Sequence, residues 1–358
     1  MNKKYLIYLF LTSILLLSAC GMSDETGEES ADENVDSASA SEETEEATED
    51  SELVLYGNDF IEVIGPKFEE ESGISVEGVH FGGGEALAQI EAEQGNPNWD
   101  IIFMDGHGSI RNLADRGFLH TDFEPENISN VKDEYEELIP EDNAYFPIGM
   151  HAAGVIAYNT DILTEEEVPK TWEEFYEYDG PIGHADPAVA APAYPLVSGI
   201  FNEWGIEEGK EIYTERFEKG INIYPKNGPL TTGLINGEIH LAALQEHNAY
   251  EAILDDEPVD LIWPEEGAPG SLRVVAINKE SDNIEEAEQF VEFLMDAETQ
   301  EFLTSIDSDA ASFFTPMAEG VEVREGRPEN PEMMLPEAEW AAEYEEEIKT
   351  WFADQNVQ

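Results

Sequence analysis

Apolar positions along the chain fall into three regimes. Residues 5–17 form a largely apolar run of 13, interrupted only by Thr12 and Ser13. Residues 21–50 hold no such run and are rich in Ser, Thr, Ala, Gly and acids. From about residue 52 onward, short apolar runs alternate with stretches of helical spacing. Leu53-Val54-Leu55-Tyr56 predicts a strand closed by the turn Gly57-Asn58-Asp59. Phe60, Ile61, Val63, Ile64 and Phe68 then recur on one helical face, which Gly73 ends. Ile74 to Phe81 predicts a second strand. Gly82-Gly83-Gly84 opens a helix carrying Ala86, Leu87 and Ile90. Residues 100–104 predict a buried strand, and Ile110, Leu113 and Ala114 begin the next helix. This alternation predicts an α/β fold with a parallel sheet and helices packed on it. Beyond residue 150 the pattern predicts strands at 154–158, 221–224, 241–244 and 272–277. Helices are expected at 172–178, 206–219, 284–295, 297–305 and 336–352.

Composition changes the picture by exclusion. The 358 residues contain 82 Asp+Glu against 16 Lys+Arg, a formal net charge of −66. A nucleic-acid binder needs a basic face, and this chain has little material for one. A basic patch resting on anionic lipid is excluded on the same ground. Whole-chain disorder is excluded by 41% hydrophobic and 10% aromatic residues. The length suits roughly two domains. Residues 21–50 hold 13 acids and no basic residue, so they predict an extended, solvated tether. The remainder, residues 51–358, still carries 69 acids against 14 basic residues. Such acidity points to a saline or alkaline external medium, where salt screens self-repulsion.

The apolar run at 5–17 follows Lys3 and Lys4 and is too short for a span of about 20 residues. It suits the apolar core of a signal peptide. It ends in Leu17-Ser18-Ala19-Cys20, which resembles a bacterial lipobox, and Cys20 is the sole cysteine. The resemblance implies that residues 1–19 are a lipoprotein signal peptide and that Cys20 carries a diacylglycerol, with the tether at 20–50. The protein would then sit outside the cell, anchored to the membrane's outer face. One cysteine allows no intrachain disulfide and no cysteine zinc cluster.

Several segments, taken in order, resemble the solute-binding proteins of ABC importers, in the group that covers ferric iron, phosphonates and sugar phosphates. They are Gly82 to Glu93, Asn96 to Ile101, Gly154 to Thr160, Pro169-Lys170-Thr171-Trp172, Asp186 to Pro195, Asn227-Gly228-Pro229-Leu230, and Glu286 to Leu294 followed by Gln300-Glu301-Phe302-Leu303. The resemblance implies a two-lobe periplasmic-binding-protein type II fold with a hinge and a ligand cleft between lobes. Lobe one would take residues 51–150 and 271–358, and lobe two residues 151–270. It also implies a monomer that hands a small molecule to an ABC permease. Ferric binders of this group carry two adjacent tyrosines near the position of His247-Asn248, and this chain contains no Tyr-Tyr pair. Iron needs anionic oxygen donors. An anionic or phosphorylated organic solute is therefore the first expectation, with ferric iron and a polyamine as alternatives. No metal site or cofactor is expected.

Ligands of open α/β sheets bind outside strand carboxyl ends, near helix N-termini. That rule selects Asn58 after the first strand and Gly83 and Gly84 at a helix start, where N–H groups could receive an anion. Those glycines equally suit a tight turn. It also selects Asp105 and His107 after the third strand, where Asp105 or Ser109 equally fits helix capping. In the second lobe it selects Tyr194, Lys226, Asn227, Thr231, Gln245 and His247; His151 precedes the crossover strand. No Gly-x-Ser-x-Gly elbow, His-Glu-x-x-His motif or phosphate loop occurs. The seven histidines show no metal-ligand spacing. An enzyme is therefore not expected. A surface interaction lipoprotein would share the lipobox and tether, but not the alternation of strand and helix.

Overall fold

The structure is a computed structural model that describes residues 52–190 and 192–356. The expected signal peptide, Cys20 and the acidic tether lie outside the described residues. Strands are β1 (Glu52–Gly57), β2 (Ser75–His80), β3 (Ile101–Asp105), β4 (Phe146–Ala152), β5 (Val155–Asn159), β6 (Ile182–Ala185), β7 (Asn222–Tyr224), β8 (Leu241–Leu244), β9 (Val259–Ile262), β10 (Ala268–Ile277), β11 (Thr315–Pro316) and β12 (Met333–Met334). Helices are α1 (Ile61–Ser72), α2 (Gly83–Ala92), α3 (His107–Asp115), α4 (Trp172–Glu177), α5 (Ala193–Trp204), α6 (Ile206–Lys219), α7 (Asn227–Ile235), α8 (Glu246–Leu254), α9 (Ile284–Met295), α10 (Ala297–Thr304) and α11 (Ala338–Asn356).

Two sheets result. The first runs β11-β4-β10-β3-β1-β2, with β12 paired to β10, and the second runs β7-β6-β8-β5-β9. The parallel pairing expected from the alternation at the start of the folded part is present, and later strands join it antiparallel. β1 is parallel to β2 and β3, but β10 is antiparallel to both β3 and β4. In the second sheet β6 is parallel to β7 and β8, while β5 is antiparallel to β8 and β9. The physical reason is that the chain crosses between sheets, so β10 re-enters the first from the second. β3 and β10 are buried along their whole length. Strands covered on both faces read as unbroken apolar runs.

Both crossovers are short. Only Ala153-Gly154 separates β4 from β5, and residues 263–267 join β9 to β10. A Cβ on Gly154 would lie 2.7 Å from Leu196 Cδ1, so glycine is what lets this crossover pass beneath α5. Each sheet has its own core. Ile101, Phe103, Val274 and Phe290 belong to one cluster, and Trp172, Phe175, Phe201 and Tyr213 to the other. α11, expected with lobe one, lies along α3 and also buries Ala341, Ile348 and Phe352 in the second cluster. It touches the first sheet's side as well: Ser109 on α3 donates to Glu345 at 2.7 Å. Among the described residues no helix is long and apolar enough to cross a membrane.

Candidate functional site

The loop after β1 begins the site. Asn58 and Asp59 lead into Phe60, whose φ of 59° places a bulky residue in the left-handed region. That conformation is costly and persists only where surroundings hold it. Arg273 on β10 does so: its guanidinium lies 4.8 Å from the Phe60 ring centroid and 5.2 Å from that of Phe314. The β4–β10 register shifts beside Arg273, where β4 carries one extra residue, Ile148, between Pro147 and Gly149. Arg273 is 1% exposed. It pairs with Asp59 at 2.6 Å and with Asp105 at 3.3 Å. Burial alone would lower its pKa, but Asp105 and Asp59 more than offset this and raise it.

Asp105 ends β3 and connects this triad to the second sheet. Gln245, at the N-cap of α8, donates through Nε2 to Asp105 at 3.3 Å and meets His151 Nε2 at 2.9 Å. Burial, then the charge of Arg273, holds the His151 pKa well below its ordinary value. The ring is therefore neutral. Asn227 donates to Gln245 Oε1 at 3.1 Å, which brings the N-terminus of α7 to the same floor. Asn58 donates to Asp105 at 3.4 Å.

Above this floor lies a cavity of about 280 Å³ between the sheets, lined by Asn58, Asp59, His80, Phe81, Gly82, Gly84 and Glu85 from one side and Val189, Ala190, Pro192, Lys226, Asn227, Gln245, His247 and Asn248 from the other. Larger grooves of about 480 and 490 Å³ lie beside His107 and along the β1–β2 edge, but neither draws on both sheets. Helices α2, α7 and α8 all start at the cavity. Their first N–H groups and dipoles converge on it, which favours negative charge. Asn58 Oδ1, His247 Nδ1 and Asn248 Oδ1 are buried with no hydrogen-bond partner among the described residues. Buried polar atoms of this kind are costly unless something pairs with them. Behind His247, Glu246 anchors α8. It accepts from Ala152 N at 2.9 Å and from Arg327 at 3.0 and 3.1 Å.

The cavity thus gathers Asn58, Gly84, Lys226, Asn227, Gln245 and His247, with Gly83 opening α2 beside it and Asp105 and His151 beneath. Three expected residues do not reach it. His107 is buried against Pro336 O at 3.0 Å, and burial lowers its pKa. Tyr194 donates its hydroxyl to Ala341 O beneath α11. Thr231 bonds back to Asn227 O at 2.9 Å within α7. In each case a backbone carbonyl takes up a side-chain polar atom, although His107 Nδ1 stays without a partner among the described residues. Sequence reasoning overlooked Arg273 and Glu85. The signal for Arg273 was a lone charge inside the apolar run Leu272 to Ile277.

Two sheets, two crossovers and a polar cavity between them define a solute-binding protein of the periplasmic type. The chain belongs to the family of bacterial extracellular solute-binding proteins, which residues 52–301 match. It is 22% identical over 252 residues to a Salmonella typhimurium periplasmic protein assigned to 2-aminoethylphosphonate binding, covering 68% of this chain and 71% of that one. Its fold is similar to the Actinobacillus pleuropneumoniae protein AfuA with fructose 6-phosphate bound: TM-score 0.73, 19% identity, 86% of this chain and 99% of the other. It is also similar to iron-bound HitA from Pseudomonas aeruginosa: TM-score 0.71, 20% identity, 85% of this chain and 99% of the other.

Proposed function

We propose that this protein captures a small anionic organic solute, a phosphonate or phosphate ester, and delivers it to an ABC permease without chemical turnover. The observation that carries this reading is the convergence of three helix N-termini and Lys226 on one inter-sheet cavity. Arg273 pairs with both Asp59 and Asp105 and offsets one of their two charges, so the helix N-termini and Lys226 must outweigh a single residual negative charge beneath the cavity. The 2-aminoethylphosphonate and fructose 6-phosphate of the two relatives are ligands of this chemistry. Ferric iron is a poorer fit: no tyrosine lines the cavity among the described residues, and the chain has no Tyr-Tyr pair. The two crossovers would serve as hinges, and closure around the solute would be the signal the permease reads. Cys20 would carry the lipid anchor, residues 20–50 would hold the monomeric lobes away from the membrane, and the acidic surface would suit a saline or alkaline exterior.

A thermal-shift screen over phosphonates, sugar phosphates, ferric complexes and polyamines tests the reading. A phosphonate or sugar phosphate should raise Tm in a concentration-dependent way. A rise with ferric ion alone would overturn the anion assignment, and hydrolysis of any of these compounds would overturn the binding class.

A further inference from the structure

The proposed anion site already holds a carboxylate. Glu85, in the first turn of α2, reaches across the cavity mouth, and its Oε1 lies 2.8 Å from Lys226 Nζ. Its Oε2 accepts the Gly82 N–H at 3.1 Å. These are two of the donors to which the function above assigns the solute's anionic group. The contact joins α2 on the first sheet to the N-cap of α7 on the second, so it also ties the lobes together. Helix capping explains only half of it, since a capping box needs the Gly82 bond and no cation from another lobe. Gly82 leaves room for this arrangement: a Cβ there would lie 3.2 Å from Glu85 Oε2 and 3.8 Å from Lys226 Nζ. Lys226, then the Gly82 N–H, hold the Glu85 carboxyl below its ordinary range, so it is charged at neutral pH.

We propose that Glu85 is a specificity-determining residue of the cleft: it is a built-in occupant of the Lys226 anion position that the solute's own anionic group must displace. The proposal rests on the anion reading above. Both side chains are more than half exposed, 57% for Lys226 and 59% for Glu85. Exposed pairs are weak, so the occupant is removable. A neutral solute cannot take the place of a carboxylate on Lys226, whereas a phosphonate or phosphate dianion brings more charge than the carboxylate it replaces. The residue therefore rejects neutral look-alikes without a steric wall. It also biases the empty protein toward lobes in contact, which a solute inherits when it replaces Glu85.

The test has two arms, in the full chain with Cys20→Ala. Spin labels at E70C on α1 and E218C on α6, both exposed positions, report the inter-lobe distance by pulsed EPR without solute. Glu85→Gln and Lys226→Met should each shift population to longer distances, and the swap E85K/K226E should restore the short one. In calorimetric titrations with inorganic phosphate and fructose 6-phosphate, Glu85→Gln should bind more tightly than the parent by up to about fivefold, the size of a weak exposed pair. Lys226→Met should bind more weakly. Unchanged distances in Glu85→Gln, or weaker anion binding by it, would overturn the proposal. Failure of the anion reading itself looks different: no anion binds any of these proteins, yet the distances still respond to Glu85→Gln. That outcome supports the inter-lobe tie and overturns the displacement step.

Discussion

Arg273 holds two carboxylates, two aromatic faces and a strained loop at once. Replacing it with Ala leaves Asp59 and Asp105 facing each other without a counter-charge. Removing one partner of a buried ion pair costs about 3–5 kcal/mol, and urea denaturation should read a loss of that size. A loss under about 1 kcal/mol, the size of an exposed pair, would show that the triad contributes little. His184 gives a pH prediction. It is fully buried beside Tyr213 and Phe352, and burial lowers its pKa from an ordinary 6.5 to about 4. Between those values the unfolded chain binds a proton that the folded chain does not. Stability is therefore full above pH 6.5 and falls as pH drops toward 4, by on the order of 3 kcal/mol from this group. His184→Gln should flatten the acid limb, narrowing the pH 7 to 4.5 difference in urea stability by roughly 2–3 kcal/mol. An acid limb as steep as the parent's would refute the assignment. A limb remains in any case, because burial lowers His107 and His151 too. At this scale the site was half legible. Asn58, Lys226, Gln245 and His247 follow strand ends, and the position outside a strand's carboxyl end is set by chain geometry alone. His107 and Tyr194 satisfy the same rule, but Pro336 and α11, distant in sequence, cover them.

Among elements, α11 has the most to lose from a single change. Gly108 on α3 faces it so closely that a Cβ would lie 2.6 Å from Ala341 Cβ. Gly108→Val should force the helices apart at a cost of about 1–3 kcal/mol. Hydrogen exchange should rise along Ala338–Asn356 while β8 stays protected; uniform protection would show that the contact is slack. Elements were legible where their ends carry their own stops. α6 lies between Gly205 and Gly220, both at positive φ, and α9 shows an unmixed apolar face. β4, α5 and α7 were missed because each contains proline. Pro195 and Pro229 sit in the first turn of their helices, where no N–H is needed. Pro147 sits beside the bulge at Ile148 in β4, where the ladder is already irregular.

For the whole molecule, charge dominates. A formal −66 on 358 residues repels itself at low ionic strength. At about 1 M salt the screening length falls to roughly 3 Å, so Tm should rise with NaCl. A falling Tm would count against adaptation to a saline medium. The expected anchor is tested separately: Cys20→Ala should abolish metabolic labelling with palmitate, and persistent labelling would place the lipid elsewhere.

The position of β10 in the first sheet bears on how the chain is made. β10 lies between β3 and β4, and these meet no other strand on those edges. Until residues 268–277 have left the ribosome, the first sheet is two separate halves and the second hangs from one of them. A nascent chain stopped short of that strand has nothing to close around. For a protein bound for the outside, this leaves the first sheet open and threadable until more than two thirds of the chain has been synthesised.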